Sequence, residues 1–237
     1  MTGGDPRLIA STFVTACFVV LPLVVAILFA LGVARAARAE RRPRLAVFGI
    51  VVTVVWLAAT WVAAASGTLS RFDATPPPFA AFLSTVVVLG PLIAFSPIGT
   101  GLVRSTSLAA LVAVQAFRFP LELVMHRAYE EGVMPGQMSY SGFNFDILTG
   151  ITAAVLGVAL WRWRVPGWIV RIWNLGGLIL LVNVVTIAVL STPLFRKFGE
   201  AGLMTFVAYP PFVWLPAVLV LAAWAGHLIV FRKLRTT

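Results

Sequence analysis

Three side chains with acid–base and ion-binding chemistry lie along one edge of an otherwise apolar segment. Arg118, Glu122 and His126 are spaced i, i+4 and i+8, so in a helix they form one narrow stripe. Gln115 and Tyr129 extend the stripe at its two ends. A guanidinium can hold an anion or pair with a carboxylate, and a carboxylate with an imidazole can exchange protons. The spacing therefore predicts either a polar site or an ion pair that only fixes helix packing.

The composition of the chain indicates what surrounds this stripe. Of the 237 residues, 60% are hydrophobic and 11% are charged, whereas a soluble domain carries about 25% charged residues. These values exclude a water-soluble core and predict a lipid bilayer as the main partner. The net charge of +10 comes from arginines at the ends of apolar runs, where they orient helices, so no nucleic acid partner is expected. Cys17 is the only cysteine, which excludes an internal disulfide.

Seven apolar stretches reach or approach the length of about 20 residues that a spanning helix needs. We therefore predict an all-α, polytopic membrane helix bundle of about seven transmembrane helices, with residues 1–237 forming a single transmembrane domain. The first stretch is longer than the roughly 7 to 15 residues of a signal-peptide core, so it is expected to stay in the mature protein. The seven stretches are Ile9 to Val33, Leu45 to Ala65, Phe79 to Ile98, Leu108 to Met125, Ile147 to Trp163, Ile169 to Leu190 and Val213 to Phe231.

The arginines and lysines between these stretches predict the orientation of the bundle. One set of helix ends carries most of them and is predicted to be cytoplasmic. This places the N-terminus outside and the C-terminus in the cytoplasm of a multi-pass protein of the inner (plasma) membrane. The cytoplasmic set is Arg35, Arg38, Arg41, Arg42, Arg44, Arg104, Arg162, Arg164, Arg171, Arg232, Lys233 and Arg235, and the outer set is Arg7, Arg71, Arg127, Arg196 and Lys197. The predicted outer loops are residues 67–78, 129–144 and 191–212.

The depth of the stripe makes it unusual. If the fourth span ends near Arg127, Arg118 lies about 13 Å and Glu122 roughly 7 Å below the outer boundary, at about 1.5 Å per residue. An arginine at that depth costs at least about 2.5 kcal/mol, so it must face protein or water rather than lipid. Pro120 has no N–H for the carbonyl of Ala116 and is expected to kink the helix beside Arg118.

Other polar residues in apolar surroundings are candidate partners of the stripe. Asn144 and Asp146 begin the fifth span at the outer level, and Asn183 lies near the middle of the sixth. Simpler roles are open for each: Asp146 can cap its helix, and Asn183 can make an interhelical hydrogen bond. His126 can lie at the interface, and His227 near the cytoplasmic end of the last span is expected to be interfacial.

Small residues predict where helices approach one another closely. Thr149, Gly150, Ala153 and Gly157 lie on one side of the fifth span. The pair Gly176 and Gly177 predicts a similar contact on the sixth span. Packing alone explains both groups.

The candidate residues can be compared with the requirements of a haem, a retinal, a metal and a serine-nucleophile site. The two histidines are expected at opposite membrane faces, which argues against a shared haem iron, and no lysine lies within a span to hold retinal. Glu122, His126 and Asp146 have the ligand types of a Zn or Fe site, but no HExxH pattern supports it, so no residue is assigned to a metal and the cofactor is unknown. Ser139 and Ser141 are candidate nucleophiles without the strand-turn-helix context that such a serine needs.

Three segments resemble a widespread family of uncharacterised bacterial multi-pass membrane proteins. They are Gln115 to Ala154, which carries the stripe and Asn144-Phe145-Asp146-Ile147-Leu148-Thr149-Gly150, then Trp173-Asn174 to Asn183, and Pro211-Phe212-Val213-Trp214-Leu215-Pro216 up to His227. The resemblance covers most of the second half of the chain. It supports the site residues as a group and implies no reaction.

The sequence thus predicts a polar pocket near the extracytoplasmic face. Its ligand-binding residues are Arg118, Glu122, His126, Asn144, Asp146 and Asn183. The favoured function is binding or proton-linked transport of a small solute or ion. The alternatives are a membrane-embedded enzyme acting on a lipid or isoprenoid substrate, and a structural or assembly subunit of a membrane complex. Assembly of the chain into a homo- or hetero-oligomer is left open by the sequence.

Overall fold

The computed structural model describes residues 10–236, and this part of the chain is helical without a strand. Six of its helical stretches are long and apolar enough to cross a membrane. Large apolar side chains cover their outer faces, which fits a multi-pass protein in contact with a lipid bilayer. The helices are α1 (Thr12–Ala39), α2 (Pro43–Ala65), α3 (Pro78–Phe95), α4 (Pro97–Ser105), α5 (Leu108–Val114), α6 (Arg118–Glu130), α7 (Ile147–Arg162), α8 (Gly167–Leu190) and α9 (Leu221–Lys233).

The helix boundaries follow the apolar stretches, although α1 and α6 extend to Ala39 and Glu130, beyond the predicted ends at Val33 and Met125. The predicted start at Ile9 lies outside the described residues. A short helix, α4, follows α3 and is capped by the Ser96 hydroxyl, which accepts from the backbone N–H of Gly99. Most importantly, α7 has only 16 residues, fewer than the about 20 that a spanning helix needs. The described residues therefore contain six helical stretches of membrane length and not seven.

The break expected near Pro120 is present. A 3-10 turn, Gln115–Phe117, separates α5 from α6, and the two helices together form the membrane-length stretch Leu108–Glu130. The last helix is also irregular, because α9 is preceded by a π-helical segment, Leu215–Val220, with Pro216 in its first turn. Such departures from α geometry are frequent beside functional sites.

Small residues bring α7 against α5 and α6. A Cβ added to Gly150 would overlap the backbone nitrogen of Phe119, and one added to Gly157 would lie 2.8 Å from the Cβ of Ala113. These contacts confirm the packing predicted for the small residues of the fifth span. Gly176 has open space around it, so the same prediction was wrong there.

Basic residues gather at one end of the bundle. Arg104, near the end of α4, lies 3.5 Å from Glu40, which follows α1. Near the end of α9, Arg232 donates to the hydroxyl of Thr100, at 3.0 Å. The C-terminal ends of α1, α4 and α9 therefore lie at the same end.

The second half of the predicted outer loop 129–144 packs against the bundle, with Ser139 and Asn144 buried and Ser141 and Phe143 exposed. Residues 139–146, the descending segment, run back alongside α6 without forming a helix. Successive turns of α6 bond to successively deeper residues of this segment: His126 to Ser139, Glu122 to Asn144, and Arg118 to Asp146. The segment carries Asp146 to the level of Arg118, where α7 begins. Irregular backbone at such depth is found where it is enclosed by protein or lines a cavity.

Candidate functional site

The centre of the site is a buried ion pair between α6 and the start of α7. Arg118 is 1% exposed, and its Nε lies 2.5 Å from Oδ2 of Asp146. Its Nη2 pairs with the other carboxylate oxygen, Oδ1. Asp146 occupies the N-cap position of α7, but its side chain makes no capping bond. The predicted capping role is therefore wrong, because the carboxylate faces the guanidinium instead.

A third nitrogen of the same guanidinium contacts His227 on α9. The distance from Nη1 of Arg118 to Nε2 of His227 is 2.8 Å, and Nδ1 of His227 lies 2.8 Å from Oδ1 of Asn174 on α8. Because arginine can only donate, Nε2 accepts and Nδ1 carries the proton of a neutral imidazole. Asn174 also donates to the backbone carbonyl of His227, at 3.0 Å. The chain of bonds runs from α6 through α9 to α8.

His227 is fully buried, so the prediction of an interfacial position was wrong. A helical side chain tilts toward the N-terminus of its helix, and Arg118 therefore reaches toward the basic end of the bundle, where His227 lies. Gly177 provides the space for the ring, since a Cβ there would lie 2.7 Å from Cε1 of His227.

Glu122 lies one turn above the ion pair and is 1% exposed. Its two oxygens lie 2.9 and 2.8 Å from the same atom, Nδ2 of Asn144. That nitrogen also donates to the carbonyl of Met138, at 3.0 Å, although an amide has only two hydrogens to share. Oδ1 of Asn144 accepts from the backbone N–H of Asp146, at 3.1 Å. Asn144 thus links the carboxylate to the ion pair, and Glu122 has fewer donors than its oxygens can accept.

Two of the six predicted site residues lie apart from this network. His126 is partly buried; its Nδ1 is 2.7 Å from the Ser139 hydroxyl and its ring stacks on Tyr140. Asn183 donates to the backbone carbonyl of Phe143, at 2.8 Å. Both support the descending segment and make no bond to the buried ion pair. The structure therefore does not bring His126 and Asn183 into the hydrogen-bond network of the other four, and their part in ligand binding stays a prediction.

A metal ion shared by Glu122, His126 and Asp146 is the alternative chemistry for this site. Among residues 10–236, no three His, Cys, Asp or Glu side chains form a group able to hold a metal. His126 is turned toward Ser139, and Glu130 lies 3.8 Å from its other ring nitrogen. The structure does not bring Glu122, His126 and Asp146 together.

A cavity of about 440 Å³ lies beside the network, between α3, α6, α8 and the start of the last helix. Its lining is almost entirely apolar, but Arg118, Glu122 and Asp146 also reach it. Exposed lining residues lie both on α3, where Val87 and Val88 are 52% and 57% exposed, and after α8, where Leu194 and Phe195 are 59% and 55% exposed, so the cavity is open between these elements. A volume of this size is in the usual range of small-molecule sites.

Fold and site together define a polytopic helical membrane protein with a buried charge network beside an apolar cavity. The chain belongs to the family described as a domain of unknown function (DUF8737), whose model matches residues 76–235. The four predicted residues of the network, with Asn174 and His227, all lie in the matched part. No curated protein and no solved structure matches the chain.

Proposed function

We propose that this protein binds an apolar molecule with one polar end inside the membrane. The observation that carries the proposal is the cavity, in which apolar walls surround three charged groups, Arg118, Glu122 and Asp146. An apolar chain gains free energy from such walls, and a polar end requires hydrogen-bonding groups at this depth. The network supplies those groups.

The position of the opening supports a ligand that arrives from the bilayer. Val87 and Val88 put part of the exposed lining on α3, a helix long and apolar enough to span the membrane. A ligand dissolved in lipid would enter there without crossing water. A small polar solute would instead have to pass apolar walls, which makes the small-solute form of the transport prediction the weaker one. An enzyme acting on a lipid and an assembly subunit stay predictions.

The cavity can be tested by filling it. Leu121 and Met125 line the cavity and are only 6% and 2% exposed, so a membrane-dissolved probe reaches them only through the cavity. Dodecanol carrying a photoreactive diazirine should label both residues in the wild-type protein in lipid nanodiscs. Val185→Trp, which places an indole in the lining, should abolish most of this labelling.

The matched control lies three residues away on the same helix. Val182 is 54% exposed and does not line the cavity, so Val182→Trp should leave labelling unchanged. Absence of label from Leu121 and Met125 in the wild-type protein would overturn the proposal. Equal labelling of the two tryptophan variants would do the same.

We also propose that α7 completes a seventh crossing together with the descending segment, and that the basic end of the bundle is cytoplasmic. The α7 helix runs antiparallel to α5 and α6, and arginine-rich helix ends are retained on the cytoplasmic side. In a Cys17→Ser background, a membrane-impermeant maleimide added to intact cells should label Arg196→Cys and spare Arg42→Cys. The reverse pattern would contradict the orientation.

A further inference from the structure

The charges that face the cavity do not balance. Among the described residues of its lining, Arg118 is the one cation, whereas Glu122 and Asp146 are two carboxylates. The nearest imidazole, His227, is neutral in the hydrogen-bond pattern described above. With both carboxylates ionised, the fixed charge beside the cavity is therefore one negative unit.

The charge of Arg118 is already paired with a carboxylate. Each of its three guanidinium nitrogens has a partner, two of them on Asp146 and the third on His227. An anionic headgroup would have to displace the Asp146 carboxylate, leaving that carboxylate buried and unpaired. Such a state is strongly unfavourable in a low-dielectric interior. The expectation that Arg118 holds an anionic group is therefore not supported by its contacts.

Glu122 is the group that lacks a counter-charge. Both of its oxygens depend on one nitrogen of Asn144, which is shared with the carbonyl of Met138. The carboxylate lines the cavity, yet its solvent exposure is only 1%. A buried carboxylate in these surroundings is stabilised by a proton or by a cation that donates hydrogen bonds.

We propose that the ligand of this cavity is an amphipathic amine, whose ammonium group binds the carboxylate of Glu122 and whose apolar chain lies along the walls formed by α3 and α8. An ammonium has three N–H donors and no acceptor, which complements the unfilled acceptor positions of Glu122 and restores neutrality. The inference rests on the proposed apolar binding function and adds the charge of the polar end.

Three probes of equal chain length distinguish a cationic, a neutral and an anionic polar end: dodecylamine, dodecanol and dodecyl phosphate. Each competes with diazirine-dodecanol for labelling of Met125, in nanodiscs of zwitterionic lipid so that surface charge does not concentrate one probe. A charge-assisted hydrogen bond favours dodecylamine over dodecanol by about tenfold or more in half-inhibitory concentration. Dodecyl phosphate should be the weakest competitor.

Variants identify the group that selects the amine. Glu122→Gln keeps the size of the side chain and should remove the advantage of dodecylamine over dodecanol, because the amide carries no charge. Glu130→Gln is the matched control, because that carboxylate lies on the same helix but is 50% exposed and does not line the cavity. It should leave the ratio unchanged.

The outcomes distinguish this inference from the function on which it rests. Equal competition by amine and alcohol, or stronger competition by the phosphate, overturns the amine assignment and leaves apolar binding intact. An amine advantage that survives Glu122→Gln also overturns it. If the dodecanol probe does not label Met125 of the wild-type protein in the absence of a competitor, the proposed function itself is refuted.

Discussion

Removal of the Asp146 charge tests the buried ion pair most directly. Asp146→Asn preserves the size of the side chain but leaves the guanidinium of Arg118, which is 1% exposed, without a counter-charge. Breaking a buried pair by removing one partner costs about 3 to 5 kcal/mol. At about 1.4 kcal/mol per factor of ten, the folding equilibrium should shift by roughly two to three and a half powers of ten.

The measurement is unfolding by increasing mole fraction of dodecyl sulfate in mixed micelles, followed by tryptophan fluorescence. An exposed ion pair supplies the control: Nη1 of Arg196 lies 2.8 Å from Glu200, and the two side chains are 59% and 74% exposed. Because exposed pairs contribute under about 1 kcal/mol, Glu200→Gln should change the free energy of unfolding by less than that amount. Similar losses in the two variants would show that the pair at Arg118 is not held in a low dielectric.

A double variant checks the cause of the loss. When both charges of a buried pair are replaced by apolar residues of similar volume, stability is often unchanged or higher. Arg118→Met combined with Asp146→Leu should therefore be more stable than Asp146→Asn alone. A double variant that is less stable than the single one would mean that packing, and not the uncompensated charge, dominates.

Two further predictions follow from contacts elsewhere in the bundle. Gly150→Ala should lower the free energy of unfolding by about 1 to 3 kcal/mol, because its methyl would overlap the backbone of Phe119. By contrast, Gly176→Ala should be neutral or stabilising by up to about 1 kcal/mol, and equal effects would refute the packing argument. Outside the membrane-length helices, the backbone N–H of Ser11 donates to the carboxylate of Glu131 at 2.8 Å and lowers the pKa of Glu131 below its ordinary value of 4.5. A lowered folded-state pKa stabilises the fold above the unfolded pKa, and this stabilisation is lost as pH falls through the folded pKa. The Tm deficit of Glu131→Gln should therefore be present at about pH 7 and shrink as the pH falls below 4.5; a deficit independent of pH would contradict the charge argument.

The sequence predicts the helices well, because hydrocarbon imposes a length and a composition that can be recognised residue by residue. It also predicts four residues of the network, since Arg118 and Glu122 share a helical stripe and Asn144 and Asp146 begin the next apolar run. The position of Asp146 within the bundle was missed for a related reason. A carboxylate at the start of an apolar run resembles a helix cap at the membrane surface, and only the packing of the descending segment shows that it lies deeper.

The contributions of α8 and α9 could not be predicted. Asn174 and Asn183 are each polar residues in the same apolar helix, and the choice between them depends on the register of α8 against its neighbours. Sequence periodicity shows which residues share a face but not how two helices are shifted along one another. His227 was predicted to be interfacial because it lies near the predicted cytoplasmic end of the last span, but the long side chain of Arg118 reaches it inside the bundle. The signal available was a single histidine in an otherwise apolar stretch.

The two charges of the buried pair lie 28 positions apart in the sequence, which has a consequence for membrane insertion. Arg118 and Asp146 are on consecutive hydrophobic segments, and each would be unfavourable in lipid by itself. We expect the insertion machinery to retain the first segment until the second has emerged from the ribosome. The two segments would then leave the protein-lined channel as a hairpin whose charges have already neutralised each other.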